Sequence, residues 1–187
     1  MNIEIVSGSV RKSSITFRLA LFLQRVLVEK TDHTVNIIDV RDWKFDQTNE
    51  GVYSSVEKAI EDHKPLAKRM FEADAFIMVS PEYNGSYSPY MKNLFDHFPK
   101  QVHKAFAIVA GSPGALGGIR ACLQMQALVS ALYGIASPFM LVTPQVDKKF
   151  SEDGTLVDQS FLGTVDTFVS EFLWLAEKMD VKLSKNF

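Results

Sequence analysis

The feature of this sequence that most constrains its fold is the alternation of short apolar runs with longer segments of helical periodicity. The runs are rich in β-branched and aromatic residues and fall at 3–6, 33–40, 75–79, 105–110 and 135–142. Between them, apolar residues recur every three or four positions, which is typical of amphipathic helices. This alternation predicts an α/β fold, a doubly wound five-stranded parallel sheet with helices on both faces. Five strands without a second half favour the order 2-1-3-4-5.

Periodicity and terminal residues predict the helices. The clearest ones cover 14–29, 89–98, 119–132 and 161–179. Pro65 suits the first position of another helix, because its missing N–H would have no partner there. Ser54 and Glu57 have the spacing of a capping box, which predicts a short helix ending near residue 63. Asp153 and Gly154 predict the turn of a small hairpin.

Composition and charge are those of an ordinary globular protein. The 187 residues fit one domain spanning 1–187, and 47% are hydrophobic and 22% charged. A net charge of −2 gives no field that would recruit nucleic acid or a membrane surface. Cys122 is the single cysteine, which fits a reducing compartment and a buried structural thiol. With no signal peptide and no apolar stretch of about 20 residues, we expect a cytoplasmic protein without nucleic-acid or membrane partners.

The loop at 7–14 connects the first strand directly to the first helix and is small, polar and basic. A helix N-terminus offers unpaired N–H groups and a partial positive charge, both of which suit a phosphate. Ser9, Ser13 and Ser14 add hydroxyl groups, and Arg11 adds a planar fork of donors. The loop therefore has two interpretations, an anion site or a helix N-cap beside a solvated arginine.

Two more unusual loops follow the third and fourth strands, at 80–88 and 111–118. The order 2-1-3-4-5 makes strands one, three and four neighbours, so the three loops lie side by side at the carboxyl edge of the sheet, where ligands bind in such folds. Asn84 and Gly85 permit a left-handed turn, and Tyr83 supplies a planar surface for stacking. Four glycines in 111–118 let the backbone approach a ligand closely. Together the loops suit a flat heteroaromatic ring with a phosphate tail, such as flavin mononucleotide (FMN) or another mononucleotide.

Other chemistries find no support in the sequence. The four histidines and Cys122 show no metal-ligand spacing, so we expect no metal site. The G-x-S-x-G nucleophile elbow and the G-x-x-x-x-G-K-[ST] phosphate loop are both absent. No G-x-G-x-x-G follows the first strand, so a nicotinamide cofactor would bind only transiently over another cofactor.

The three loops carry motifs that resemble the NAD(P)H-dependent FMN reductase family. They read G-S-V-R-x-x-S with L-A in the first helix, P-E-Y-N-G-S with K-N and D in the following helix, and G-x-x-G-G-x-R. The resemblance runs in order from about residue 3 to 142. It implies a flavodoxin-like fold, bound FMN, NAD(P)H as co-substrate and a homodimer or homotetramer. It also implies a small-molecule electron acceptor, which in this family is a flavin, quinone, azo compound or metal oxyanion.

By this resemblance, the first loop holds the FMN phosphate, the backbone of 81–86 holds the ring and ribityl region, and 114–118 lines the other edge of the ring. The predicted cofactor-binding residues are Ser9, Arg11, Ser14, Thr16, Pro81, Glu82, Tyr83, Asn84, Gly85, Ser86, Ser112, Gly114, Gly117 and Gly118. Two positions depart from the family pattern. Thr16 replaces a common asparagine, although its hydroxyl can still bond a phosphate, and His97 replaces a frequent tryptophan.

The flavin would carry the chemistry, so we predict no catalytic acid or base. One open flavin face serving donor and acceptor in turn predicts ping-pong kinetics. Two alternatives remain at this stage. One is a flavin-binding electron carrier or redox sensor without significant turnover, and the other is a binding module that has lost its flavin.

Overall fold

The computed structural model describes residues 1–45 and 51–180. The sequence also predicts a long connection at 41–51, in which Asp46 and Asn49 lie outside the described residues. The strands are β1 (Asn2–Ser7), β2 (Thr34–Asp39), β3 (Ala75–Pro81), β4 (Ala105–Ser112), β5 (Ile135–Ala136) and β6 (Leu141–Pro144). The helices are α1 (Ile15–Lys30), α2 (Lys64–Glu72), α3 (Pro89–His97), α4 (Ile119–Ala131), α5 (Val146–Lys149) and α6 (Leu162–Met179).

The strands form one parallel sheet in the order β2-β1-β3-β4-β5, with β6 also paired to β4. This is the predicted flavodoxin-like order. The predicted fifth strand at 135–142 is divided into β5, beside the start of β4, and β6, beside its end. Pro138 lies in the interruption, and a proline cannot donate a ladder hydrogen bond in the middle of a strand.

Side chains of the central strands alternate between two hydrophobic clusters, one on each face of the sheet. Ala75, Ile77 and Val79 of β3 pack with residues of α1 and α6, whereas Phe76 and Met78 pack with residues of α2, α3 and α4. The same alternation continues along β4. Because both faces are covered by helices, these strands are apolar throughout 75–79 and 105–110, which made them recognisable in the sequence.

The segment at 54–63 differs from the predicted helix. It contains two short 3₁₀ turns, Val56–Lys58 and Glu61–His63, separated by extended backbone at Ala59 and Ile60. The first turn has Ser55 at its N-cap, without a capping hydrogen bond from the side chain. The capping-box prediction is therefore wrong. The segment is fixed instead by tertiary contacts of His63, which is buried and bonded to the Tyr53 hydroxyl at 2.8 Å.

Other sequence predictions hold. Pro89 begins α3 and Pro65 lies in the first turn of α2. Phe150 and Leu156 form an antiparallel bridge that closes the predicted turn, where Gly154 has φ of +80°. None of the described helices has the length and apolar character needed to cross a membrane.

Candidate cofactor site

The loops that follow β1, β3 and β4 meet at the carboxyl edge of the sheet, as predicted. Pro81 at the end of β3 pairs in register with Gly111 of β4, and the Gly8 N–H donates to the Val79 carbonyl at 2.9 Å. A cleft of about 140 Å³ lies between these loops. It is lined by Ser9, Arg11, Ser13, Ser14, Ile15, Thr16, Pro81, Glu82, Tyr83, Gly111, Ser112 and Pro113. We call it the phosphate cleft, after the group that the sequence predicts there.

The N-terminus of α1 forms one wall of the phosphate cleft. Ser14 is the N-cap, and its hydroxyl oxygen accepts a hydrogen bond from the Phe17 N–H at 3.1 Å. The capping interpretation is thus confirmed for Ser14, whose hydroxyl also lies 3.2 Å from that of Thr16. Other N–H groups of the first turn have no partner within the helix, and no acidic side chain is present in that turn. Capping by Ser14 therefore engages one N–H and leaves others of the first turn to bind an anion.

Arg41 fixes the outer side of the first loop, and the sequence interpretation missed it. Its Nε donates to both carboxylate oxygens of Asp39, at 3.0 and 2.9 Å. Its Nη1 donates to the carbonyls of Arg11 and Lys12, at 3.4 and 3.3 Å. The Asp39 carboxylate raises the pKa of Arg41, chiefly through this hydrogen bond. The signal that could have revealed Arg41 was its place just after β2, which adjoins β1 in the predicted order.

Arg11 is exposed and lies across the phosphate cleft from the second loop. Its guanidinium carbon is 5.0 Å from the centre of the Tyr83 ring, a distance at which a cation is attracted to an aromatic face. Its backbone N–H lies 3.4 Å from the Ser9 hydroxyl oxygen, and Ser9 itself is buried. Two residues predicted to bind opposite ends of one ligand are therefore in contact.

The second loop contains a tight turn closed by two backbone hydrogen bonds. The Tyr83 N–H donates to the Ser86 carbonyl at 2.8 Å, and the Ser86 N–H donates to the Tyr83 carbonyl at 3.1 Å. Asn84 and Gly85, between them, have φ of 51° and 88°, the left-handed region that this dipeptide favours. The predicted left-handed turn is confirmed.

Glu82 connects the second loop to the start of α4. Its side chain is only 8% exposed and receives hydrogen bonds from the Arg120 Nε at 2.7 Å and the Arg120 N–H at 3.2 Å. Both carboxylate oxygens are therefore engaged in holding the helix terminus. This geometry gives Glu82 an anchoring role between the second loop and α4.

The glycines of the third loop serve its packing. Gly117 and Gly118 have φ of 61° and 89°. A Cβ on Gly117 would lie 2.6 Å from the Pro144 nitrogen, and one on Gly118 would lie 2.7 Å from the Ala110 Cβ. Gly114 is exposed, and a Cβ there would meet only the Ser112 hydroxyl, at 3.6 Å. Gly114 is therefore the open position of the three, while Gly117 and Gly118 lie against β6 and β4.

The predicted site residues divide into two groups. Those that line the phosphate cleft are Ser9, Arg11, Ser14, Thr16, Pro81, Glu82, Tyr83 and Ser112. Asn84, Gly85 and Ser86 form the turn beside it, and Gly114, Gly117 and Gly118 belong to the adjoining third loop. Ser13, Ile15, Gly111 and Pro113 are additional lining residues outside the predicted set.

A second and larger groove of about 720 Å³ adjoins the first loop at Val10 and includes Trp43, Phe45 and Tyr90. Beside it, the Phe45 ring packs between two histidine rings, 4.4 Å from His63 and 4.5 Å from His97. The His97 Nδ1–H donates to the Asn93 carbonyl at 2.8 Å. His97, which replaces a tryptophan frequent in the family pattern, is thus buried in an aromatic cluster. Its hydrogen bond to a carbonyl requires a proton on Nδ1.

The phosphate cleft fits the terminal group of FMN in size and chemistry. At about 140 Å³ the cleft has room for a small group such as a phosphate. The buried hydroxyls of Ser9 and Thr16, the α1 N-terminus and the Arg11 guanidinium are suitable donors for that group. The ring would then lie outside the cleft, toward the second and third loops.

Metal and thiol chemistry find no site in the described parts of the chain. No cluster of three or more histidine, cysteine or acidic side chains there could hold a metal ion. Cys122 is fully buried on α4, and desolvation, with a smaller contribution from the Glu82 charge, raises its pKa to about 12. The prediction of a structural cysteine is confirmed.

Comparison with known proteins gives consistent results. Residues 1–144 match the model of a family described as NADPH-dependent FMN reductase. Proteins named FMN-dependent NADPH-azoreductase, from Staphylococcus saprophyticus and Staphylococcus aureus, are each 28% identical over 173 residues, covering 90% of this chain and 92% of theirs.

Solved structures agree on the fold. The flavoenzyme NAD(P)H:(acceptor) oxidoreductase FerB of Paracoccus denitrificans superposes with a TM-score of 0.73 at 21% identity, covering 95% of this chain and 98% of that one. A single-site mutant of flavodoxin from Pseudomonas aeruginosa gives a TM-score of 0.54 at 15% identity, covering 96% and 97%.

Proposed function

This chain belongs to the NADPH-dependent FMN reductase family, and from that premise we propose that it transfers electrons from NADPH through bound FMN to a small-molecule acceptor. The observation that carries the proposal is the phosphate cleft, in which the α1 N-terminus, the Ser9 and Thr16 hydroxyls and Arg11 converge beside the loops after β3 and β4. The family match covers all of these elements.

In this proposal, the chain binds and orients the cofactor. The first loop holds the phosphate, and Arg41 fixes that loop through the carbonyls of Arg11 and Lys12. The turn at Tyr83–Ser86 presents its backbone to the ring, and the Glu82–Arg120 pair fixes the turn relative to α4. FMN would supply the redox chemistry, taking a hydride from NADPH and passing the electrons on. We assign no side chain as catalytic acid or base.

We further propose a ping-pong order, in which NADP⁺ leaves before the acceptor enters, because one open flavin face would serve both. The proposed acceptor is a free flavin, quinone, azo compound or metal oxyanion. Among these we favour an azo compound, since the similar staphylococcal proteins are named azoreductases. We also propose one flavin-binding domain over 1–187, assembled as a homodimer or homotetramer in the cytoplasm. The buried Cys122 supports a reducing compartment.

The test is an activity assay on purified protein reconstituted with FMN. We expect FMN to bind and NADPH to be consumed when a quinone or an azo dye is added, with parallel lines in double-reciprocal plots. Protein that binds FMN but consumes neither NADPH nor NADH would be an electron carrier or sensor, an alternative that the flavodoxin-like fold also allows. Protein that fails to bind FMN would contradict the proposal.

A further inference from the structure

We propose that Tyr83 is a positioning residue for Arg11, and that this contact makes the protein select phosphorylated flavin over riboflavin. The inference rests on the proposed function, since it takes FMN as the ligand of the phosphate cleft. It adds a role for Tyr83 that differs from stacking on the flavin ring. The observation behind it is the 5.0 Å approach of the Arg11 guanidinium to the Tyr83 ring.

Arg11 needs such a partner because little else orients its side chain. The residue is exposed, and no ion pair links it to a carboxylate among the described residues. The hydrogen bonds made by the Arg11 backbone fix the loop but leave the guanidinium free. A free arginine loses much rotamer freedom on binding an anion, which weakens the binding. Contact with an aromatic face restricts the guanidinium before the phosphate arrives.

Tyr83 is well suited to this role because its own backbone is fixed on both sides. Two hydrogen bonds to Ser86 close the following turn, and the preceding Glu82 is bonded to Arg120. The ring is thus presented from a rigid turn toward a flexible side chain across the phosphate cleft. Both residues line that cleft, so the contact with Tyr83 holds the guanidinium beside it.

The effect of removing Tyr83 should depend on whether the ligand carries a phosphate. If Tyr83 acts through Arg11, its loss weakens only ligands that Arg11 contacts, which are those with a phosphate. If Tyr83 instead stacks on the ring, its loss weakens FMN and riboflavin equally. The ratio of the two dissociation constants therefore separates the two roles.

The experiment measures Kd for FMN and riboflavin, by quenching of flavin fluorescence, on the wild type, Tyr83→Leu and Tyr83→Phe. We expect Tyr83→Leu to raise the Kd of FMN by about 3- to 10-fold, the range of an exposed to partly buried cation–π contact. The Kd of riboflavin should stay within about twofold of the wild-type value. Tyr83→Phe retains the aromatic face and should behave as the wild type. In an Arg11→Gln background, Tyr83→Leu should have no further effect on FMN.

If Tyr83→Leu weakens the binding of both flavins equally, or weakens FMN binding as much in the Arg11→Gln background as in the wild type, the inference is overturned. The proposed function is left intact by either result. Wild-type protein that binds neither flavin overturns both. Thermal melting of each variant shows whether it is folded. The Arg11→Gln single variant removes the other partner of the same contact, so it should also lower the preference for FMN over riboflavin.

Discussion

The Glu82 carboxylate accepts hydrogen bonds from both the backbone and the side chain of Arg120, at 3.2 and 2.7 Å. This pair joins the loop after β3 to the first turn of α4. Charge-assisted, multiply bonded pairs of this kind are stronger than ordinary surface ion pairs. Glu82 is almost fully buried, which limits solvent screening on its side.

Replacing Arg120 by alanine should lower the free energy of unfolding by about 1 to 2 kcal/mol, because the buried Glu82 carboxylate loses its side-chain donors. The loss of stability should stay modest because the Arg120 side chain is largely exposed and its charge is screened by solvent. Urea unfolding measures it. Lys92→Ala is the matched control, since it breaks an exposed pair with Asp96 within α3 and should cost no more than about 0.5 kcal/mol. Equal effects of the two substitutions would contradict the anchoring role.

Arg11→Ala should weaken FMN binding by about 1.5 to 3 kcal/mol, the scale of a hydrogen bond to a charged group. Riboflavin binding should be unaffected, because riboflavin has no phosphate. Isothermal titration with each flavin measures both. Lys12→Ala provides the control from the same exposed loop, as Lys12 does not line the phosphate cleft. Unchanged FMN affinity in Arg11→Ala would reduce Arg11 to a solvated surface residue.

Gly118→Ala should destabilise the fold by about 2 to 4 kcal/mol, from backbone strain and overpacking together. The residue has φ of 89°, and an added Cβ would meet the Ala110 Cβ at 2.7 Å. Gly163→Ala is the control within a helix, because no heavy atom lies within 4 Å of its added Cβ. There the change should be neutral or stabilising by up to about 1 kcal/mol. Thermal unfolding compares the two, and a tolerated Gly118→Ala would show that the third loop can shift.

Lys104 should make stability depend on pH in the alkaline range. Burial, partly offset by Asp74, lowers its pKa from 10.5 to about 8. Its Nζ donates to the carbonyls of Met70 and Phe71, at 3.0 and 3.3 Å. Between about pH 8 and 10.5 the unfolded chain binds more protons at this lysine than the folded one, so its contribution to stability rises with pH.

After a discount for solvent screening, this rise should amount to about 1 to 2 kcal/mol. It is measured as the difference in unfolding free energy between wild type and Lys104→Gln at pH 7.5 and 10. Lys68→Gln, at an exposed position of α2, serves as the control and should show no such change. A wild-type advantage that stays constant with pH would contradict the shifted titration of Lys104.

The strand order could be predicted from the sequence because its determinants are local. Continuous apolar runs such as the one at 75–79 identify strands covered on both faces, and helical segments between them require parallel crossovers. The Asn84-Gly85 turn was equally predictable, since few dipeptides adopt two left-handed residues in succession. These features depend little on distant parts of the chain.

Features set by tertiary contact were not predictable in this way. The Ser54–Glu57 spacing satisfies a local rule, but the segment is held by the distant contacts of His63 and adopts 3₁₀ turns. From the sequence, Gly117 and Gly118 were interpreted as glycines that let the backbone approach a ligand. The structure shows instead that glycine is required there because β6 and β4 lie too close for a Cβ, and the sequence does not give these distances. The predicted order placed Arg41 near the first loop, but the carbonyls to which it donates are known only from the folded structure.

The central claim, that bound FMN takes electrons from NADPH and passes them on, is tested most directly by anaerobic half-reactions of the FMN-loaded protein. NADPH alone should bleach the flavin absorbance stoichiometrically, and a quinone added afterwards should restore it without NADPH present. Flavin that remains oxidised under excess NADPH and NADH would contradict the account and identify a carrier or sensor instead.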